Sequence, residues 1–433
     1  MPVIQVDLQQ VLQRIKSSCL SFFKENFNTN SLISAIFLSL PIYFQIFNPS
    51  LILKALSFIS VFLGFWVLLN KKTPLFGFGF FIGLFWFWWI GLSFRYYSLG
   101  WMIPVVVLLV ATGYGLIFWM IQKLLLFFQK ILNKFYEFDW YNLFLIITLV
   151  FFIDYIKPFT FDWLKFDILF LTFLPSISKW QFLFFLLGLW LGKKNKIFYL
   201  LVLSIFIQNY QKPKNTMNIY LATTYVPQNL KWQKSYIPKE IQNNFRIIQK
   251  AIKEKYKIVV LPESAFPLFL NLHPELIQKL KNLSNKITII TGALHYKNKK
   301  FYNSTYIFEN GKMKILDKHV LVPFGEYIPL PFFQKEINRI FFGGASDYST
   351  SDKFETYKID GKNFINAICY EATLEDIYKL PPKNIIALTN DAWFMPSIEP
   401  LLQKLLIKYY ASKYKKNVYH SINGYKSYKI CKK

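Results

Sequence analysis

Apolar and polar positions divide the 433-residue chain into two regimes that meet near residue 211. Before that point, apolar runs occupy 31–48, 51–69, 74–92, 103–122, 141–157, 177–192 and 196–210. A helix rises about 1.5 Å per residue, so roughly 20 apolar residues cross ~30 Å of hydrocarbon. The pattern therefore predicts about seven membrane spans. The last two runs are short and also fit one re-entrant hairpin. After residue 211 the period changes. Residues 217–226, 257–261, 287–291, 304–308, 364–368, 384–389 and 418–421 have strand-like composition, with turns at Glu309–Lys312 and Asn423–Gly424. Residues 239–255 have helical spacing at Ile241, Phe245, Ile248 and Ile252, and 373–380 and 401–416 also read as helices. Strands and helices alternate without a glycine-rich phosphate loop, which leaves little support for a nucleotide-binding α/β fold.

Composition sharpens this picture. Hydrophobic residues make up 54% of the chain and charged residues 17%, and the mean hydropathy is +0.27, which argues against a wholly soluble or disordered protein. The net charge of +27 would suit nucleic acid, but beside this apolar content it points to a membrane and to no nucleic acid. Residues 1–210 carry 16 Lys+Arg against 7 Asp+Glu, leaving 35 against 17 for residues 211–433. An outer domain of that charge would favour anionic headgroups.

Residues 1–30 lack an apolar core and read as a cytoplasmic amphipathic N-terminal segment rather than a cleaved signal. With the N-terminus inside, cytoplasmic loops hold 11 Lys+Arg and the opposite side 5, as the positive-inside rule requires. An odd number of spans then puts 211–433 outside the cytoplasm. Asp154, near a span end, is either a functional intramembrane acid or an interfacial residue paired with Lys157. The apolar stretch 159–174 is expected in the outer interface beside the globular domain. Cys19, Cys369 and Cys431 are too scattered for a disulfide framework or zinc cluster. The four histidines, His273, His295, His319 and His420, have no ligand spacing, so no metal or cofactor is expected.

Three places carry candidate chemistry. Glu263, in Leu261-Pro262-Glu263, lies just past the carboxyl end of a buried strand, where α/β sheets place ligands. Lys318 precedes an apolar loop, Val322-Pro323-Phe324-Gly325-Glu326. Cys369, in Cys369-Tyr370-Glu371, stands between a strand and a helix, where the helix dipole would lower the thiol pKa. Each alone has a bland reading: a solvated acid, a surface lysine, a small core thiol.

Together these motifs resemble the apolipoprotein N-acyltransferases, a membrane branch of the nitrilase superfamily. Asn390–Phe394 (NDAWF), Val226-Pro227-Gln228 and Lys231-Trp232 extend the resemblance, which covers the whole chain. It implies a multi-span α-helical membrane domain plus an α/β nitrilase-like (αββα sandwich) domain. The segments would be 1–30, 31–210 (transmembrane) and 211–433 (extracytoplasmic, catalytic). It further implies a multi-pass protein of the bacterial cytoplasmic (inner) membrane with its catalytic domain on the periplasmic face. The activity implied is transfer of a fatty acyl chain from a membrane phospholipid donor, through a Cys369 thioester, to the α-amine of a diacylated lipoprotein acceptor. Glu263 would be the base, Lys318 the oxyanion partner and Cys369 the nucleophile. Glu326 and Glu371 would support them, and Tyr370, Trp232, Trp393 and Phe394 would line the substrate.

The resemblance also implies a last membrane helix, Gln-His and Arg-Ala-x-Glu after NDAWF, and a glycine directly behind it. This chain runs to Lys433 without such a helix and has Leu402-Gln403, Tyr410-Ala411-Ser412-Lys413 and Met395 instead. Rival readings are a membrane-tethered amidase using water, a non-catalytic scaffold, and a transporter with an appended domain.

Overall fold

The computed structural model describes residues 16–17, 21–207, 217–323, 325–327 and 348–431. The stretch before residue 16, Cys19, the boundary near 211 and Phe324 lie outside the described residues. The described chain forms two compact units. One takes Met1–Gly91, Met102–Ile153 and Thr172–Gln208; the other takes Leu92–Trp101, Asp154–Leu171 and Asn209–Lys433.

The first unit is helical. Thr29–Ile46, Leu51–Asn70, Leu75–Tyr97 and Gly100–Leu132 are long and apolar enough to cross a bilayer. Leu108, Leu109, Leu116, Met120, Leu124 and Phe127 are exposed along the last of these, a stripe that water would penalise and lipid would not. Trp140–Tyr155, Lys179–Leu191 and Lys196–Phe206 are shorter apolar helices. They occupy the places of the last three runs. Lys179–Leu191 has 13 residues, which gives only about 20 Å of rise. It packs closely on the next helix: a side chain at Gly188 would meet the Phe198 carbonyl oxygen at 3.0 Å.

The second unit is an αββα sandwich. Its strands are β1 (Ile219–Leu221), β2 (Thr223–Thr224), β3 (Ile258–Val260), β4 (Phe266–Phe269), β5 (Thr288–Lys297), β6 (Lys300–Glu309) and β7 (Lys312–Asp317), then β8 (Thr356–Ile359), β9 (Lys362–Ile368), β10 (Asn384–Asn390), β11 (Asn417–Asn423) and β12 (Tyr428–Ile430). One sheet has the order β1-β3-β5-β6-β7, with β4 added to β5; the other has β12-β11-β10-β9-β8, with β2 added to β11. Alternation along β3 builds both cores. Ile258 and Val260 face the other sheet with Ile290, Ile386, Leu388 and Tyr419. Val259 and Leu261 face the opposite way, onto Phe245 and Ile248 of the helix Ile237–Lys253 and Leu280 of Pro274–Ser284.

Most expected elements are present with shifted ends. The strand expected over 217–226 is split into β1 and β2, which join different sheets. The helix expected at 373–380 is limited to Glu375–Lys379. β4, β7, β8, β12 and the helix Pro274–Ser284 were not expected: the strands are short or edge-placed, and this helix is short, although Leu276, Ile277, Leu280 and Leu283 give it an apolar face.

Strand direction sets the site. β3 and β5 are parallel, and β5-β6-β7 is antiparallel, so β7 ends at the same edge as β3. Glu263 follows β3, Lys318 follows β7, Cys369 follows β9 and Asp391 follows β10.

Candidate active site

Glu263 is buried, and Asn303 Nδ2 donates to its Oε1 at 2.7 Å. The same amide donates to Glu326 Oε1 at 3.1 Å. Glu326 Oε2 receives Lys318 Nζ at 2.7 Å and the Val322 amide at 2.9 Å. Asn303 and Glu326 thus join the acid after β3 to the lysine after β7. Lys318 is wholly enclosed. Burial alone would push its ammonium down, but the Glu326 carboxylate, with Cys369, Glu263 and Glu371, pushes it above the ordinary lysine range. Burial raises the Glu263 carboxyl against the pull of Lys318, Asn303 and Cys369.

Cys369 is partly open to solvent, although its surroundings are closed. Its φ is 55°, and that of Ser264, beside Glu263, is 48°. A left-handed conformation costs a non-glycine residue about 1–2 kcal/mol, so both sharp exits from strands are held by what surrounds them. Two glycines permit the close approach. A side chain at Gly292 would stand 2.5 Å from the Ser264 nitrogen and 2.7 Å from Glu263 Cα. One at Gly424, φ 94°, would stand 2.6 Å from the Ala392 nitrogen.

The expectation of a lowered thiol pKa is not met. Burial and the Glu263 carboxylate push the Cys369 thiol well up, and Lys318 only partly offsets them. The turn that follows, Cys369–Thr373, is one short 3-10 segment and aligns too few peptide dipoles to overcome burial and the carboxylates of Glu263, Asp391 and Glu326.

Glu371 clips two loops together. Its Oε1 accepts the amides of His319 (2.7 Å) and Val320 (3.0 Å), and its Oε2 accepts that of Ile368 (2.8 Å). Tyr370 points elsewhere and donates to the Thr160 carbonyl at 2.6 Å. Trp393 lies between Tyr96 (edge-on, 5.3 Å) and Tyr97 (stacked, 6.0 Å). Trp232 is 40% exposed, and among the described residues no hydrogen bond or ring contact ties it to the buried centre. The structure therefore gathers Glu263, Lys318, Cys369, Glu326 and Glu371, and leaves Tyr370, Trp232 and Trp393 outside that group.

Residues 25–211 match the apolipoprotein N-acyltransferase integral membrane domain, and residues 222–414 match the carbon-nitrogen hydrolase domain. The apolipoprotein N-acyltransferase of Campylobacter jejuni is 37% identical over 426 residues, 93% of this chain and 91% of that protein. That of Wolinella succinogenes is 36% identical over 405 residues, 91% of this chain and 93% of that protein. The chain belongs to the apolipoprotein N-acyltransferase family. It is an acyltransferase that joins an integral membrane domain to a nitrilase-type α/β domain. Among solved structures, Saccharomyces cerevisiae Nit3, of the nitrilase superfamily, is similar at a TM-score of 0.35 and 21% identity, over 47% of this chain and 74% of that one.

Against this family background, the departures of the helix Glu399–Lys413 have contacts of their own. Tyr410 donates to Asp162 Oδ2 at 3.1 Å, and Lys413 pairs with Glu375 at 2.6 Å. Asp162 also takes Lys165 at 2.5 Å and Lys157 at 3.1 Å, and Lys165 stands 3.6 Å from Asp154. Asp154 thus pairs with Lys165, and the expected Lys157 serves Asp162 instead. Trp163 donates to Thr373 Oγ1 at 3.0 Å, so residues 154–171 brace the turn that carries Cys369.

Residues 95–97 play a similar part. Arg95 donates to the Trp393 and Met395 carbonyls and Tyr96 to the Ala392 carbonyl. The sequence reading missed Asn303, Asp391, Arg95 and Tyr348, whose phenol is pushed up by burial and by Glu326 and Glu263. Only Asn303, a polar residue at an inward position of a β-rich segment, and Asp391, inside a quoted motif, had a usable signal.

Proposed function

We propose that this chain transfers a fatty acyl group from a membrane phospholipid to the α-amine of a diacylglyceryl-cysteine lipoprotein, by a ping-pong route through Cys369. In the first half, Glu263 takes the thiol proton as sulfur attacks the ester carbonyl, and the oxyanion forms against Lys318. The ester C–O bond breaks, and the proton on Glu263 passes to the departing lysophospholipid alcohol. In the second half the lipoprotein amine attacks the thioester, Glu263 takes the amine proton, the amide forms, and sulfur leaves to recover that proton as the thiol. Glu326 and Glu371 hold Lys318 and its loop. Trp232, Trp393, Phe394 and Tyr370 are read as walls for acyl chain and headgroup.

The observation that carries this reading is the meeting of an acid, an ammonium and a thiol from the ends of β3, β7 and β9. The match of residues 25–211 to the family's membrane domain supports a lipid substrate. The positive-inside count supports a cytoplasmic N-terminus, a catalytic region on the outer face of the cytoplasmic membrane, and a domain division near 211.

The test is mass spectrometry of purified protein incubated with phospholipid. An acyl adduct on Cys369 that disappears on addition of a diacylated lipopeptide, with acylated peptide formed, is expected. Free fatty acid without acylated peptide would instead mark an amidase-like hydrolase. A Cys369→Ala protein that still acylates the peptide would remove the mechanism.

A further inference from the structure

One group of buried acids takes no part in this scheme. Asp391 opens the turn after β10, and Glu399 and Gln403 lie one turn apart on the helix Glu399–Lys413. All three are 2% exposed or less. Gln403 Nε2 donates to Asp391 Oδ1 at 3.3 Å and to Glu399 Oε1 at 3.2 Å. Asp391 Oδ2, Glu399 Oε2 and Gln403 Oε1 are buried and have no hydrogen-bond partner among the described residues.

Other groups around the pair do not neutralise it. β9 and β10 are parallel neighbours with Ile368 beside Leu388, so Cys369 and Asp391 leave the sheet at one edge, where Cys369 and Glu263 act on Asp391 from the catalytic side. Tyr425 and Tyr428 face it from the last turn and β12. Lys404 sits over the Tyr428 ring at 5.1 Å, and Arg95 is engaged by the Trp393 and Met395 carbonyls. Among the described residues, neither acid forms an ion pair. A neutral amide shared between two ionised carboxylates leaves both buried charges uncompensated, which is strongly unfavourable. Burial, with Glu263 acting on Asp391 and Asp391 on Glu399, holds both carboxyls well above the usual range. Glu399 stands where the sequence is otherwise apolar, in Ser397-Ile398-Glu399-Pro400-Leu401, so its cost is not that of a surface acid.

We propose that Asp391 and Glu399 share one proton across Gln403, and that the charge left on Asp391 tunes the Cys369 thiol, which makes Asp391 a positioning residue of the reaction. The functional weight rests on Cys369 being the nucleophile. The measurement does not, because it reads thiol reactivity alone.

The test uses the full chain in detergent. The rate of Cys369 alkylation by iodoacetamide is followed against pH and read on the Cys369 peptide, so that Cys19 and Cys431 do not count. The thiolate sulfur displaces iodide, and the thiol proton goes to solvent. Asp391→Asn cannot carry charge and is expected to move the midpoint down. Glu399→Gln removes the second seat for the proton, leaves the full charge on Asp391, and is expected to move the midpoint up. Shifts in the same direction, or none in either variant, overturn the proposal. A merely structural pair would not give opposite signs from two isosteric changes. Should either variant fail to fold, the unaltered protein still decides: a protonated-carboxyl infrared band at neutral pH that shifts in deuterated buffer is expected, and its absence overturns the proposal. If alkylation fails to respond, acyl transfer through Cys369 still stands on its own test.

Discussion

In the proposed scheme Glu263, Lys318 and Cys369 carry the chemistry, and burial and the charges around them leave all three holding a proton more tightly than in free solution. Glu263 is raised by burial, so its basic form is lost at a higher pH than an ordinary carboxylate would require. The acid limb of the acylation rate should therefore lie above the usual carboxylate range, with activity falling as pH drops through it; single-turnover acylation measured against pH checks this. Lys318 is fixed by Glu326, and in the proposed scheme it is the partner of the oxyanion. Lys318→Met should lower the acylation rate by roughly 10²–10³-fold with little change in lipid binding. A loss confined to KM would contradict the oxyanion role. At this scale the sequence was informative about identities and misleading about state. A helix start after Cys369 suggested an acidic thiol, but burial and the carboxylates of Glu263, Asp391 and Glu326, all outside the local sequence, decide the opposite.

Elements place these residues through exits from strands. The exits from β3 and β9 pass through non-glycine residues with positive φ, Ser264 and Cys369, and Gly292 lets β5 press against the turn after β3. Gly292→Ala would put a methyl 2.7 Å from Glu263 Cα. Displacing the acid by about 1 Å should cost about 100-fold in rate, with unfolding temperature affected far less; assays of both quantities on one preparation separate the two effects. The segment 154–171 was legible as too apolar for a loop. Its ion cluster was not, because Asp162, Lys165 and Tyr410 are far apart in sequence. Asp162→Ala should leave Lys165 buried without its closest partner and destabilise the second unit by about 3–5 kcal/mol, readable as a drop in denaturation midpoint.

At the scale of the whole molecule, the chain forms a helical unit and an α/β unit, and their sequences differ accordingly. Among the described residues the seven apolar runs fall on helices, of which four are long enough to cross a bilayer by length and composition. If the proposed topology holds, a reporter active only in the cytoplasm and fused after Pro213 should be silent, while one fused in the Lys71-Lys72 loop should be active. The reverse pattern would turn the molecule over.

Hydropathy, strand periodicity and a few motifs by themselves determined the division into a helical and an α/β region, most of the element order, and the acid, amine and thiol to examine. Those signals are local, and solvent writes them directly into the sequence. Only the tertiary structure decided that Asn303 and Glu326 bridge the acid to the lysine, that Asp391 is paired with Glu399, and that residues 95–97 and 154–171 of the first half clasp the catalytic turns. Such contacts join residues tens to hundreds of positions apart, and their energies come from burial and from charges set side by side by the fold.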